Sequence, residues 1–122
     1  MSRGIVMVSH VEAIAQGLKQ LIEQVAGDVP VTFAGGSEDD GVGTSFEAVN
    51  QAIIDNEADE ILAFYDLGSA KMNLELAIES SDKSIDLFDV AFIEGVYTAA
   101  SLLQADAPTS AIKEELDQLI VK

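Results

Sequence analysis

The chain has 122 residues, enough for one domain with a sizeable core, and 48% of them are apolar, which suits a globule and not a disordered tail. Against 22 acidic residues stand only 6 basic ones, a formal net charge of −16. That balance excludes the basic stripe that nucleic acids or anionic membrane surfaces require, and favours a basic protein partner.

No run approaches the roughly 20 apolar residues of a membrane span. Arg3 precedes only a short apolar run, so no signal peptide is read at the N-terminus. The absence of cysteine removes disulfide and thiol chemistry, which fits the cytoplasm.

Gly4-Ile5-Val6-Met7-Val8 is a continuous apolar run and predicts a buried strand. Val11, Ile14, Ala15, Leu18, Leu21, Ile22 and Val25 fall at helical spacing and predict one apolar stripe, ended by Gly27-Asp28. Val29 to Phe33 is β-rich and predicts a second strand, and residues 35–45 form a glycine-rich loop. Phe46, Val49, Ala52 and Ile53 mark a second helix reaching Asn56. Glu60 to Tyr65 predicts a third strand, followed by the tight loop Asp66-Leu67-Gly68-Ser69 and a helix from Ala70 to Glu79. Ser84 to Phe88 predicts a fourth strand, and a helix follows from Glu94 to Ala105. Asp106-Ala107-Pro108-Thr109 breaks the pattern before a last helix carrying Ile112, Leu116, Leu119 and Ile120. Met7 and Met72 read as core.

Strand and helix alternate from end to end. The expected fold is therefore α/β: an open, mostly parallel four-stranded sheet with helices on both faces, as a single domain over residues 1–122.

In such a sheet the strand C-terminal ends share one edge, and ligands bind there. The segments assigned to that edge are Ser9-His10, Gly35-Gly36, Asp66 to Ser69 and Ile93-Glu94-Gly95. They hold the only histidine of the chain. Ser9-His10-Val11-Glu12 and Thr44-Ser45-Phe46-Glu47 both fit the capping box. With Ser9 as N-cap, His10 becomes the first helical residue, and the helix dipole favours its neutral, nucleophilic form. The Thr44 and Ser69 helix starts add N–H donors for an anion. Asp66 follows the strand expected beside the first, where its carboxylate would orient the ring.

Each feature has a plainer reading. A lone histidine is often a surface residue, capping boxes are ordinary helix punctuation, and Asp66 would then only cap a turn. Convergence on one edge favours a functional His10. Metal and cofactor chemistry find little support. A zinc site would need mostly carboxylates, Asp39-Asp40 reads as a solvated loop pair, and no nucleotide-binding signature occurs. No cofactor and no metal are expected.

The segments Val6-Met7-Val8-Ser9-His10, Ala34-Gly35-Gly36, Gly43-Thr44-Ser45, Asp66-Leu67-Gly68-Ser69-Ala70 with Met72-Asn73, and Ile93-Glu94-Gly95 resemble the phosphotransfer subunit of phosphoenolpyruvate-dependent dihydroxyacetone kinase. That subunit is similar to the IIA domain of mannose-type sugar phosphotransferase systems. The resemblance implies a cytoplasmic homodimer whose histidine, here His10, takes a phosphoryl group from the histidine-containing phosphocarrier protein. It implies transfer onward to ADP on the nucleotide-binding kinase subunit. Asp66 would orient His10, and Ser9, Gly36, Thr44, Ser69 and Gly95 would line the pocket. Two departures stand out: Val11 replaces an expected serine, and Ala91-Phe92 replaces a proline-containing turn. The alternatives are a IIA component of a sugar transporter, or a non-catalytic anion-binding regulatory module.

Overall fold

The structure, a computed structural model, describes residues 2–36 and 41–122, so the Asp39-Asp40 pair lies outside the described residues. Among the described residues four strands, β1 (Arg3–Ser9), β2 (Val31–Gly35), β3 (Glu60–Tyr65) and β4 (Ser84–Phe88), form one sheet in the order β2-β1-β3-β4. Every pairing is parallel.

The central strands read as unbroken apolar runs because both of their faces are covered. Ile5, Met7, Leu62 and Phe64 point into a core shared with α1 (Glu12–Glu23), α4 (Phe92–Gln104) and α5 (Thr109–Leu116). Their neighbours Val6, Val8, Ile61, Ala63 and Tyr65 point the other way, against α2 (Phe46–Asp55) and α3 (Gly68–Ser80). The β1–α1–β2 crossover steps to one side of β1, whereas β2–α2–β3 and β3–α3–β4 step to the other. Right-handed crossovers in opposite directions place α1 and α3 on opposite faces. The chain thus diverges between the C-terminal ends of β1 and β3, which opens a crevice at that point.

Several sequence expectations shift. β2 begins at Val31 and not Val29, because Ile5 pairs with Val31 and the Pro30 carbonyl instead accepts from the Ile5 N–H at 2.9 Å. In α1 only Ala15, Leu18 and Ile22 are buried; Ile14, Leu21 and, just past the helix, Val25 face solvent, so the apolar stripe is shorter and narrower than its spacing suggests. Met7 is in the core, but Met72 is 67% exposed on the outer side of α3. The last helix ends at Leu116; a 3-10 turn, Asp117–Leu119, then brings Ile120 antiparallel to Val90.

Asn56, at the end of α2, ties together the strand edge opposite the crevice. It is 1% exposed. Its Nδ2 donates to the Ile5 carbonyl (3.0 Å), with Thr32 Oγ1 and the Pro30 carbonyl also in reach, and its Oδ1 accepts from the Ala58 N–H at 3.0 Å. Gly4 makes room for it: a Cβ there would sit 2.6 Å from Asn56 Oδ1. Asn56→Ala should cost about 2 kcal/mol or more, since buried backbone groups lose their partners. Urea unfolding should show a lower midpoint with an unchanged m-value.

Candidate active site

Parallel pairing of Val8 with Tyr65 sets the residues after them, Ser9-His10 and Asp66, side by side at the crevice. The Asp66 N–H donates to the Val8 carbonyl at 3.2 Å, which continues the ladder one step beyond the strand. The Asp66 carboxylate is then saturated. Oδ2 accepts from Ser9 Oγ (2.8 Å) and the His10 N–H (3.0 Å), and Oδ1 accepts from the Leu67 N–H at 2.7 Å. His10 Nδ1 lies 2.9 Å from Oδ1. A carboxylate only accepts, so Nδ1 carries the proton and donates. In the neutral ring Nε2 is then the acceptor, and Ser69 Oγ donates to it at 2.5 Å.

The two side chains are largely enclosed, 13% exposed for His10 and 18% for Asp66. Burial by itself pushes the Asp66 carboxyl up. The hydrogen bonds from His10, Ser9 and Leu67 outweigh it and hold the group below the usual carboxylate range.

Ser9 is not a helix cap, contrary to the capping-box expectation. It is the fully buried last residue of β1, paired with Gly35, and its hydroxyl is committed to Asp66. Its oxygen accepts from the Val11 N–H at 3.1 Å, and α1 starts only at Glu12, with Val11 as N-cap. His10 therefore stands before α1 and not in its first turn. The helix end that meets the imidazole is that of α3, through Ser69 in its first turn. That turn carries no acid, whereas α1, α2 and α4 open with Glu12, Glu47 and Glu94. Unsatisfied N–H groups there favour an anion.

The loop after β2 forms the other wall. The Gly43 N–H donates to the His10 carbonyl at 2.7 Å, and Val42 bridges antiparallel to Val11. The cap of α2 is Ser45, one residue beyond the expected Thr44, and it accepts from the Ala48 N–H at 3.2 Å. Thr44 Oγ1 instead accepts from Asn73 Nδ2 at 2.7 Å, which ties the loop to α3. Gly36 adopts φ +81° and lines an open cleft with Val11, Glu12 and Ser45. Gly95 lies in the first turn of α4, on its buried side, where a Cβ would meet Val90 Cγ2 at 2.5 Å and Phe64 at 3.5 Å. That close packing by itself accounts for a glycine at this position. The structure thus joins Ser9, His10, Asp66 and Ser69, and sets Thr44 and Gly36 on the flanking loop.

A second cluster escaped the sequence reading. Tyr65 Oη donates to Asp89 at 2.5 Å, and Lys71 pairs with Asp89 at 3.0 Å. Burial, then the Asp89 bond, pushes the Tyr65 phenol up; that same bond, with Lys71, holds Asp89 down despite its burial. Lys122 Nζ lies over the Tyr65 ring, 4.4 Å from its centroid. Tyr65 reads in the sequence as plain strand core, and Lys122 carries no sequence signal. Among the described residues no group of three or more His, Asp or Glu is placed to hold a metal ion, and no helix is long and apolar enough to cross a membrane.

Residues 4–113 match the family described as the PTS system fructose IIA component. The chain is 51% identical, over its full length and 99% of the relative, to the PTS-dependent dihydroxyacetone kinase phosphotransferase subunit DhaM of Lactococcus lactis. It is 45% identical, over 98% of the chain and 96% of the relative, to the phosphoryl donor subunit DhaM of PEP-dependent dihydroxyacetone kinase 1 from Listeria innocua. A crystal structure of a protein of unknown function superposes with a TM-score of 0.85 at 28% identity, covering 100% of this chain and 98% of that one. A sigma-54 interaction domain protein from Enterococcus faecalis shares the fold, with a TM-score of 0.72 at 14% identity over 96% of this chain and 89% of that one.

The depressed Asp66 carboxyl carries a sign for stability. Its contribution is present above the unfolded carboxylate value of about 3.9 and is lost as pH falls through the lower folded value. The stability difference between the wild type and Asp66→Asn should therefore hold from neutral pH down to the unfolded value of about 3.9 and shrink progressively below it, as pH falls toward the lower folded value. Urea midpoints of both proteins measured across the acid range check this.

Proposed function

The chain belongs to the family of PTS system fructose IIA components, together with the DhaM phosphotransferase subunits of dihydroxyacetone kinase, and from that premise we propose that His10 Nε2 is its phosphoryl carrier. The observation that carries this reading is the pairing of Nδ1 with Asp66 at 2.9 Å, which leaves Nε2 as the one lone pair of the ring.

In the proposed step the Nε2 lone pair attacks the phosphorus of a phosphohistidine on the histidine-containing phosphocarrier protein. The N–P bond of the donor breaks, and its electron pair returns to the donor ring. Positive charge develops on His10 as the new bond forms, and the Asp66 carboxylate balances it through the retained Nδ1–H. Ser69 is exposed, so its hydroxyl is free to turn off Nε2 and donate to a phosphoryl oxygen. The first N–H groups of α3 face the same charge. In the second step a terminal oxygen of ADP, held by the nucleotide-binding kinase subunit, attacks the phosphorus. The Nε2–P bond breaks, its electrons return to the ring, and ATP leaves with the partner. Alignment and charge neutralisation are what such a transfer requires.

A cytoplasmic location and a homodimer complete the reading. A sugar-transporting IIA role is the rival, favoured by the wording of the matched family. The full-length identity to DhaM subunits favours the kinase role.

His10→Gln should fold and accept no phosphoryl group. Asp66→Asn should fold at neutral pH and accept it about 100-fold more slowly, the lower end of what an oriented proton-handling group contributes. Mass spectrometry after incubation with phosphoenolpyruvate, enzyme I and the phosphocarrier reads both; acid-labile phosphate on the glutamine variant would remove His10 from the role.

The phosphorylated chain should form ATP with an ADP-loaded dihydroxyacetone kinase subunit and transfer nothing to the IIB component of a mannose-type transporter. The rate should fall as salt rises, because docking on so acidic a surface draws on basic groups of the partner. Labelled phosphate appearing on the IIB component alone would assign the chain to sugar transport.

A further inference from the structure

The segment after α5 doubles back on the β4–α4 loop. The Ala91 N–H donates to the Leu119 carbonyl at 3.0 Å, Val90 bridges antiparallel to Ile120, and the Val121 N–H donates to the Asp89 carbonyl at 3.3 Å. This short pairing aims Lys122 at the C-terminal end of β3. There Lys122 Nζ donates to the Tyr65 carbonyl at 2.6 Å and the Asp66 carbonyl at 3.3 Å, while resting on the Tyr65 ring.

Those two carbonyls lie past the end of the sheet pairing on that side. The β3–β4 ladder ends at Phe64 and Phe88, one residue short of Tyr65. Beyond that point the chain must hold Asp66 and then Ser69 in register with His10 without further strand pairing on that side. An ammonium supplies several donors from one point and a charge-assisted bond to each carbonyl.

We propose that Lys122 is a positioning residue for phosphoryl transfer, pinning the β3–α3 loop so that Asp66 and Ser69 stay aligned on the two nitrogens of His10. This rests on His10 being the phosphoryl acceptor. Partial burial pushes the Lys122 ammonium down, and the facing Asp66 and Asp89 carboxylates oppose that only in part. It is thus a cation at the rim of a site that gains a dianionic phosphoryl group beside a carboxylate.

The test compares the full chain with Lys122→Met, Lys122→Gln and Lys122→Arg. Two readouts are followed at fixed pH: the rate of phosphoryl acceptance from the phosphocarrier, and the 15N imidazole spectrum, which is unambiguous with a single histidine. Lys122→Met should slow acceptance by about 3- to 10-fold, less than the full worth of a charge-assisted hydrogen bond because Lys122 acts only through the loop that carries Asp66 and Ser69. It should also weaken the Nδ1–H signal as exchange with water quickens. Lys122→Arg should restore most of both, and Lys122→Gln, which keeps donors without charge, should restore the spectrum more than the rate. A methionine variant that melts earlier yet keeps the wild-type rate and spectrum would show Lys122 to be a tail anchor only and overturn the proposal. If the wild type itself takes no phosphoryl group, the carrier role fails, while the imidazole spectra still decide whether Lys122 holds the loop.

Discussion

The Asp66 carboxylate is the constraint on which the site depends. It accepts from Ser9 Oγ, from the His10 and Leu67 N–H groups and from His10 Nδ1. Three of these donors come from the end of β1 and one from its own loop. The carboxylate therefore joins two neighbouring strands at the point where their helices leave on opposite faces. A crevice of this kind is a product of topology, but its shape is not. Here one saturated anion fixes the last turn of both strands and, with them, the face and proton position of the imidazole. The bonds that orient His10 are also the bonds that hold Asp66 ionised, so structure and reactivity share one cause.

Much of this was legible in the sequence, for identifiable reasons. The unbroken apolar runs of β1 and β3 announce strands covered on both faces, and the regular alternation with helices leaves a parallel sheet as the simple solution. Once β3 is placed beside β1, the position of Asp66 next to His10 follows from chain order alone. What failed was local detail. Ser9-x-x-Glu12 satisfies a capping box as text, yet the Ser9 hydroxyl has a better acceptor in a carboxylate 57 residues away. A long-range bond outcompeted a local one, and no sequence window contains that competition. Thr44 lost its cap to Ser45 for a similar reason, with Asn73 as its partner. Met72 shows the same limit: helical spacing does not say which side of α3 meets the sheet.

Cations are scarce in this chain, with 6 basic residues against 22 acidic ones, and their placement is informative. Arg3 joins Thr109 and Asp106 at the edge away from the crevice, and Lys113 pairs with Asp86. Lys83 donates to the Ile53 and Asn56 carbonyls, where α2 ends without a basic residue in its last turn. Those contacts are structural. Lys71 and Lys122 instead converge with Asp89 and Tyr65 beside the end of β3.

The remaining acids stay off the reactive edge in one telling place. α3 is the helix whose first turn meets Nε2, and it opens with Gly68-Ser69-Ala70 and no carboxylate. A glutamate there, as in α1, α2 and α4, would repel an incoming phosphoryl group at a distance where screening is weak. Of that turn the Ala70 N–H is taken up by the Leu67 carbonyl, and the Ser69 hydroxyl is short enough to serve either the free ring nitrogen or a group bound to it. The proposed phosphoryl group would thus sit between the dipole of α3 and the side that carries Lys71 and Lys122. An acid-free helix start at the switch point of the sheet is what would reconcile so acidic a chain with the chemistry proposed for His10.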